Sequence, residues 1–503
     1  MRRKRQLYHR SVMLLVALFI SGYAWAQSIR GKVVSTVTGE AISGASVHVI
    51  GQQLSTQTDG EGNFALPTAV PTRLAVSYVG YKTANVDVTG YDNLRIELSQ
   101  EHADLEEVVV IGYGAQKKKL TTGANLRVEG ADLEKRNQIS PLQALQGQAP
   151  GVSISSTSGQ PGADMKVVVR GLGTIGNSGP LYVIDGIPGG DITILHPADI
   201  VSIDVLKDAA SAAIYGSQAA NGVVLVTTKM GTSGRSQLAI DAFAGIQNVG
   251  RIMPMLNASQ YKTIMNEQAL NSGASLIDFD AMDDLADTEW LSHMFSDNAK
   301  MQNYNLGLTG GSENSVYAMS LNYIGQEGVA GGKDVSNYDR YGFRINSEHK
   351  LLDKFLTIGQ HLNFNYIRNN GINVGNQYNN TLRGAFATSP LSPVYSSNNR
   401  FGIPYNDTSN SPWYTGDGNP YGSMMINSNN ANDAQRMLAD IYAEIEPFPG
   451  LKIRSIGGFN YHASEYRSFT PLYQLSAYAY NTDHTTVNQS MGKGHTLTWT
   501  NTA

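Results

Sequence analysis

Strict alternation of apolar and polar positions runs through the second half of the chain. In "NYNLGLTG" Tyr304, Leu306 and Leu308 share one side, and Asn303, Asn305, Gly307 and Thr309 the other. In "SVYAMSLNY" Tyr317, Met319, Leu321 and Tyr323 oppose Ala318, Ser320 and Asn322. In "LTIGQHLNFNY" Leu356, Ile358, Leu362, Phe364 and Tyr366 oppose Thr357, Gly359, His361, Asn363 and Asn365. A period of two places successive side chains on opposite faces of a strand. Further strands are predicted near 236–247, 338–348, 434–446, 451–462 and 495–503. A soluble sandwich also alternates, so connection length has to separate the two architectures. Between the predicted strands the connections run long and short in turn: 248–300, 310–314, 324–337, 349–353, 367–433, 447–450 and 463–494. Tight turns at one end and long loops at the other are the habit of an outer-membrane barrel. A sandwich has no reason to segregate length by side.

The first half is patterned differently. Within 28–99, "IRGKVVS", "ASVHVIG", "FALPTA", "RLAVSYVGY" and "LRIELS" read as short strands with turn formers between them, Asp59-Gly60 and Gly62-Asn63 among them, which predicts a β-sandwich. The region holds one histidine, His48, and no paired ligand spacing, so no zinc site can be argued. Residues 101–119 form a linker in which Val108–Ile111 is apolar between acidic residues and a Lys triplet. That reads as an accessible extended segment able to join another protein's sheet edge.

Residues 120–235 predict a small α/β unit. A helix is expected over 131–150, with Ser140 as N-cap, Pro141 at its first position and Pro150-Gly151 as its stop. Strands follow in "VSISSTSGQPG", "MKVVVRG", "LYVIDG" and "NGVVLVTTKMG", with a turn at Asp185-Gly186. The small residues at 209–213 predict a short helix lying close to the sheet, and Asn221-Gly222 turns the chain into the last strand. Gly171, Gly173 and Gly176 spell G-x-G-x-x-G, but "NSGP" and a strand follow where a dinucleotide site needs a helix.

Composition narrows the function. Charged residues are 16 % of the 503, glycine numbers 52 and tyrosine 26, and the formal charge is -5, which gives no basic footprint for nucleic acid. With no cysteine there is no disulfide framework and no thiolate chemistry. Residues 1–26 carry a basic start, a short apolar core and a small-residue cleavage point, the pattern of a secretory signal. No P-loop, H-E-x-x-H or G-x-S-x-G occurs, so no catalytic residue and no cofactor or metal site is assigned, and an enzyme is not expected.

The stretch from Gly176 to Gly231 resembles the plug-domain signature of SusC/RagA-type TonB-dependent outer-membrane transporters. It matches at Asp185, Gly186, Lys207, Asp208, Tyr215, Gly216, Asn221 and Gly222, and departs at Gln218, where the family usually places Arg. "EEVVVIGYG" is similar to the family's TonB box, which makes Glu106, Glu107, Val108, Val109, Val110 and Ile111 the expected TonB-binding residues. Residues 27–100 resemble the carboxypeptidase-regulatory-like domain. The resemblance implies a mainly β fold: an N-terminal β-sandwich, an α/β plug at 120–235, and over 236–503 the first eight or so strands of an antiparallel transmembrane barrel that has about 22 strands in the family. The chain is therefore expected to be the N-terminal part of such a transporter, truncated. The implied partners are TonB with its inner-membrane energising complex, a SusD-like surface lipoprotein, outer-membrane lipid, and an oligosaccharide or peptide as cargo. In the loop 367–433, Trp413, Tyr414 and Tyr421 are candidates to stack on a sugar, or alternatively to pack the loop. A signalling receptor, or a surface ligand-binding protein without transport, is the competing expectation.

Overall fold

The computed structural model describes residues 28–503 apart from residues 37–38, 53, 80, 92, 100–107, 112–113, 118–124, 137, 209–211, 283–284, 376–379, 397–399, 403–417, 449 and 477. The chain divides into two compact units that part at residue 108.

The first unit has seven short strands: β1 (Ile29–Ser35), β2 (Ser46–Val49), β3 (Ser55–Gln57), β4 (Asn63–Leu66), β5 (Thr72–Ser77), β6 (Ala84–Val88) and β7 (Leu94–Leu98). They make two sheets, ordered β4-β1-β7 and β3-β2-β5-β6. Alternate residues of both enclose one apolar core around Ile29, Val33, Val47, Leu66, Leu74 and Leu98, which is the expected sandwich. Buried Thr58 ties two loop segments together, its hydroxyl accepting from the Ala45 amide at 2.8 Å and donating to the Ile42 carbonyl at 2.7 Å. After it, the backbone of β8 (Val108–Ile111) and β9 (Gly114–Lys117) forms a two-stranded ribbon.

The second unit begins with β10 (Asn125–Glu129), β11 (Val152–Ser156), β12 (Met165–Val169), β13 (Leu181–Ile184), β14 (Ile187–Pro188), β15 (Ile200–Leu206) and β16 (Val223–Thr228). Five of these strands form a mixed sheet in the order β10-β15-β16-β13-β14, and β11 and β12 pair as a hairpin. Two short helices, Gly130–Glu134 and Pro141–Leu145, replace the single helix expected over 131–150. The cause is Pro141: the residue before a proline is driven out of the helical region, and Ser140 is extended at φ -123°, ψ 137°. Ser140 caps the second helix as expected, accepting from the Leu142 amide at 3.3 Å. The glycines at 171, 173 and 176 lie in a loop that leads to β13, with no helix after them. Past the small residues, the described helical turns run over Ala213–Ala219 with a kink at Gly216, C-terminal to the expected 209–213, of which 209–211 lie outside the described residues.

Eight long strands follow: β17 (Gly234–Gln247), β18 (Ala299–Gly311), β19 (Ser315–Glu327), β20 (Asn337–Leu351), β21 (Leu356–Asn370), β22 (Ala431–Phe448), β23 (Leu451–Thr470) and, after the two-residue β24 (Tyr473–Gln474) and β25 (Tyr480–Asn481), β26 (Thr486–Thr502). They pair antiparallel in one sheet, in sequence order from β17 to β26, and among the described residues β17 and β26 do not pair with each other. The short connections after β18, β20 and β22 lie at one end and the long connections at the other.

This sheet is inside-out. Leu321 is 55 % exposed while its neighbour Asn322 is 8 % exposed. The register lines up Asn305, Asn322, Gly342, Asn365 and Arg436 across β18 to β22 on the covered face. One position along, Tyr304, Tyr323, Tyr341 and Tyr366 are aligned on the other face, with successive ring centroids 6.1, 5.0 and 6.4 Å apart. The next row on that outer face, toward the tight turns, is Ile240, Leu306, Leu321, Phe343, Phe364 and Met437. Water gives no reason to expose a continuous apolar band, whereas a bilayer rewards it, and tyrosines at its margin suit the interface. No helix among the described residues is long and apolar enough to cross a membrane.

Candidate functional site

The α/β unit sits on the polar face of the sheet and is held there by buried polar groups. Asp199 and Arg344 form an ion pair of 3.0 Å with both side chains 3 % exposed. Asp199 also accepts from Ser320 Oγ at 2.8 Å, and Arg344 donates to the Lys229 carbonyl at 2.7 Å. Asn346 Nδ2 donates to Thr228 Oγ1 at 2.7 Å and to the Lys229 carbonyl at 3.1 Å. Nearer the long loops, Arg340 donates to the carbonyls of Thr193 and Leu195, and in the row of Arg344 Asn460 donates to the Gly189 carbonyl at 3.0 Å. An apolar contact closes the set, since Leu438, Tyr442 and Ile456 of the sheet share one core with Ile184 and Ile187. Such an interface is strong while every polar group is matched, and it weakens sharply when one partner is removed.

His196 belongs to the same latch. Its Nδ1 accepts from the Ala198 amide at 3.1 Å, which makes Nε2 the protonated nitrogen, and Nε2 lies 2.6 Å from Asn303 Oδ1. Burial pushes its pKa below the usual histidine range.

The residues expected from the sequence have local tasks. Asp185 sits at φ 48° and accepts from the Thr228 amide and hydroxyl at 2.8 and 2.7 Å, so it bridges the tip of β13 to the end of β16, and Gly186 completes the turn at φ 91°. Lys207 donates to the Pro150 carbonyl, Asp208 pairs with Arg170, and Asn221 donates to the Asn177 carbonyl at 2.9 Å. Tyr215 is buried with Leu206 and Val223, Gly216 takes a positive φ of 62°, and Gly222 turns at φ 90° into β16. Gly231 marks where the chain leaves the α/β unit: a Cβ there would lie 2.2 Å from the Tyr317 carbonyl oxygen. Glu106 and Glu107 lie outside the described residues, and Val108, Val109, Val110 and Ile111 form β8. Trp413 and Tyr414 also lie outside the described residues. Tyr421 packs into a loop cluster with Trp290, Met294 and Met424 and meets Tyr395 and Phe401 edge-on.

Sequence reading missed a cavity of about 620 Å³ between the α/β unit and the sheet at the long-loop end. Its wall is built from the polar rows of β20 to β23, with Tyr338, Arg340, Asn369, Asn432, Arg436 and Tyr466 facing it. Gln160 closes the other side, donating to the Ile372 carbonyl at 2.8 Å. The volume is that of a small-ligand pocket. The signal was present in the inward half of each alternating strand, but it became a site only once the strands were in register.

Residues 117–223 match the TonB-dependent Receptor Plug Domain, and residues 29–110 the CarboxypepD_reg-like domain. A TonB-dependent receptor of Formosa agariphila is 36 % identical over 455 residues, covering 88 % of this chain and 44 % of that protein. The TonB-dependent receptor SusC of Bacteroides thetaiotaomicron is 30 % identical over 504 residues, covering 94 % of this chain and 48 % of its own length. Among solved structures, the RagAB peptide importer in its open-open state shares the fold, with a TM-score of 0.64 at 22 % identity over 78 % of this chain and 46 % of that one. The chain thus spans a little under half the length of these relatives.

Proposed function

Because this chain is, over the length it shares with its relatives, a SusC-type TonB-dependent receptor of the outer membrane, we propose that it serves the import of a nutrient, an oligosaccharide or a peptide, energised by TonB through residues 106–111. In this reading the plug stoppers the barrel bore, a SusD-like lipoprotein lids the outer face, and the cavity under the long loops receives the cargo. The observation that carries the reading is the inside-out sheet with its plug latched by buried polar groups. A surface protein that only bound ligands would have no use for a stopper held by bonds that can be exchanged for water. The name of the RagAB peptide importer favours peptide cargo for that protein; here the cargo class stays with the cavity's own chemistry.

The test is deletion of Glu106 to Ile111 in the intact receptor. Membrane insertion is expected to be unchanged and energy-dependent uptake of the cargo to be lost. Uptake that persists at the parental rate overturns the coupling.

A further inference from the structure

Two arginines face the cavity, and among the described residues neither pairs with a carboxylate. Arg340 is 1 % exposed; its terminal nitrogens hold the plug carbonyls of Thr193 and Leu195, and its Nε has no hydrogen-bond partner. Arg436 stands on β22, in the covered row with Asn365, and among the described residues it makes no ion pair or hydrogen bond. Two carboxylates also line the space. Asp191 is committed to the amide and hydroxyl of Thr193 at 2.9 and 2.6 Å, and among the described residues neither it nor Asp164 pairs with either arginine. A buried guanidinium with an unused donor is an expensive thing to leave unmatched. Guanidinium groups suit planar, bidentate oxyanions. The remaining lining, the Asn369 and Asn432 amides and the Tyr338 and Tyr466 rings, offers hydrogen bonds to hydroxyls and flat faces to a ring.

We propose that this cavity recognises its cargo through a carboxylate, received by Arg436, with Arg340 lining the same cavity. The proposal rests on the import reading and deepens it, and its consequence is selectivity for charged over neutral cargo. Arg436 is the discriminating residue because it is free of the latch. Arg340 is unsuited to a clean test, since its loss also releases Thr193 and Leu195.

Direct binding to the purified intact receptor distinguishes the sources of such a group. Three probes are compared: a tetragalacturonate, the same oligomer with its carboxyls reduced to alcohols, and a tetraglutamate peptide. Tighter binding of at least one acidic probe than of the reduced oligomer is expected. Arg436→Ala should lower the affinity for that acidic probe about tenfold or more and leave the reduced oligomer unaffected, with Arg436→Lys recovering part of the loss. A preference for tetragalacturonate assigns the group to a sugar acid, and one for tetraglutamate to a peptide. Equal binding of charged and reduced oligomers, no binding of either acidic probe, or an Arg436→Ala receptor that binds as the parent does, overturns the proposal. Each of these outcomes leaves the import reading standing, because loss of uptake on deleting residues 106–111 is measured separately.

Discussion

One ring at the plug boundary does two things at once. His196 caps the turn at Pro197–Asp199 through Nδ1 and reaches the wall through Nε2. The cap requires the neutral form, because a protonated Nδ1 would point a hydrogen at the Ala198 amide, whereas Nε2 donates to Asn303 in either form. The charged groups facing it are Asp199, Arg340 and Asp241; burial, aided by Arg340, holds its pKa down against the Asn303 hydrogen bond and the two carboxylates. An unfolded histidine takes up its proton near pH 6.5, and this one resists. Its contribution to stability is therefore complete above about pH 6.5 and shrinks as pH falls below that value. The urea midpoint of the intact receptor should drop between pH 8 and pH 5, and His196→Gln should flatten part of that drop. Equal slopes in parent and variant would show that the ring is not the sensor. Little of this was legible in the sequence. Arg344 alternates correctly with Phe343 and Ile345, but its partner Asp199 lies 145 positions away, and no local pattern joins them. Asp185-Gly186 was legible because a turn is a property of neighbours.

The long strands were readable because both halves of their alternation are obligatory: one face meets hydrocarbon and the other meets the plug. All eight overlap the segments where the period of two places them, and the long-short rhythm of their connections survives, although β23 (to Thr470) and β26 (from Thr486) both run into the connection expected at 463–494. The short elements were less so. β3 ("STQ") has no apolar residue, and β6 ("ANVDV") pairs, among the described residues, only with β5, so neither announces itself. Pro141 is visible in the sequence, and it splits the helical pattern because it drives Ser140 into the extended region. The outer rows give the sheet a measurable polarity. Leu321→Arg, in the apolar band, should cost about 2–4 kcal/mol on insertion into vesicles, whereas Tyr323→Arg, in the tyrosine row, should cost about 0–1 kcal/mol. Denaturant titration of folding into bilayers reads both. Equal costs would mean the tyrosine row is not at the interface.

For the whole molecule, the latch decides how firmly the plug is seated. Arg344→Met leaves Asp199 buried without its cation, and should destabilise the seated plug by about 3–5 kcal/mol; adding Asp199→Leu should restore much of the loss. Proteolysis of the plug in outer-membrane preparations measures it, and an Arg344→Met plug as resistant as the parent would remove the pair from the latch. The topology also fixes the order in which the plug can give way. Force arriving from the amino-terminal side enters at β10, the border of the five-stranded sheet, whose five ladder positions pair, among the described residues, with β15 alone. The opposite end of the plug is pinned where Gly231 threads past Tyr317. A tug therefore unzips one narrow seam before it can load the charged contacts beneath, so the stopper behaves as a hem that opens stitch by stitch while the fabric stays sewn to the frame.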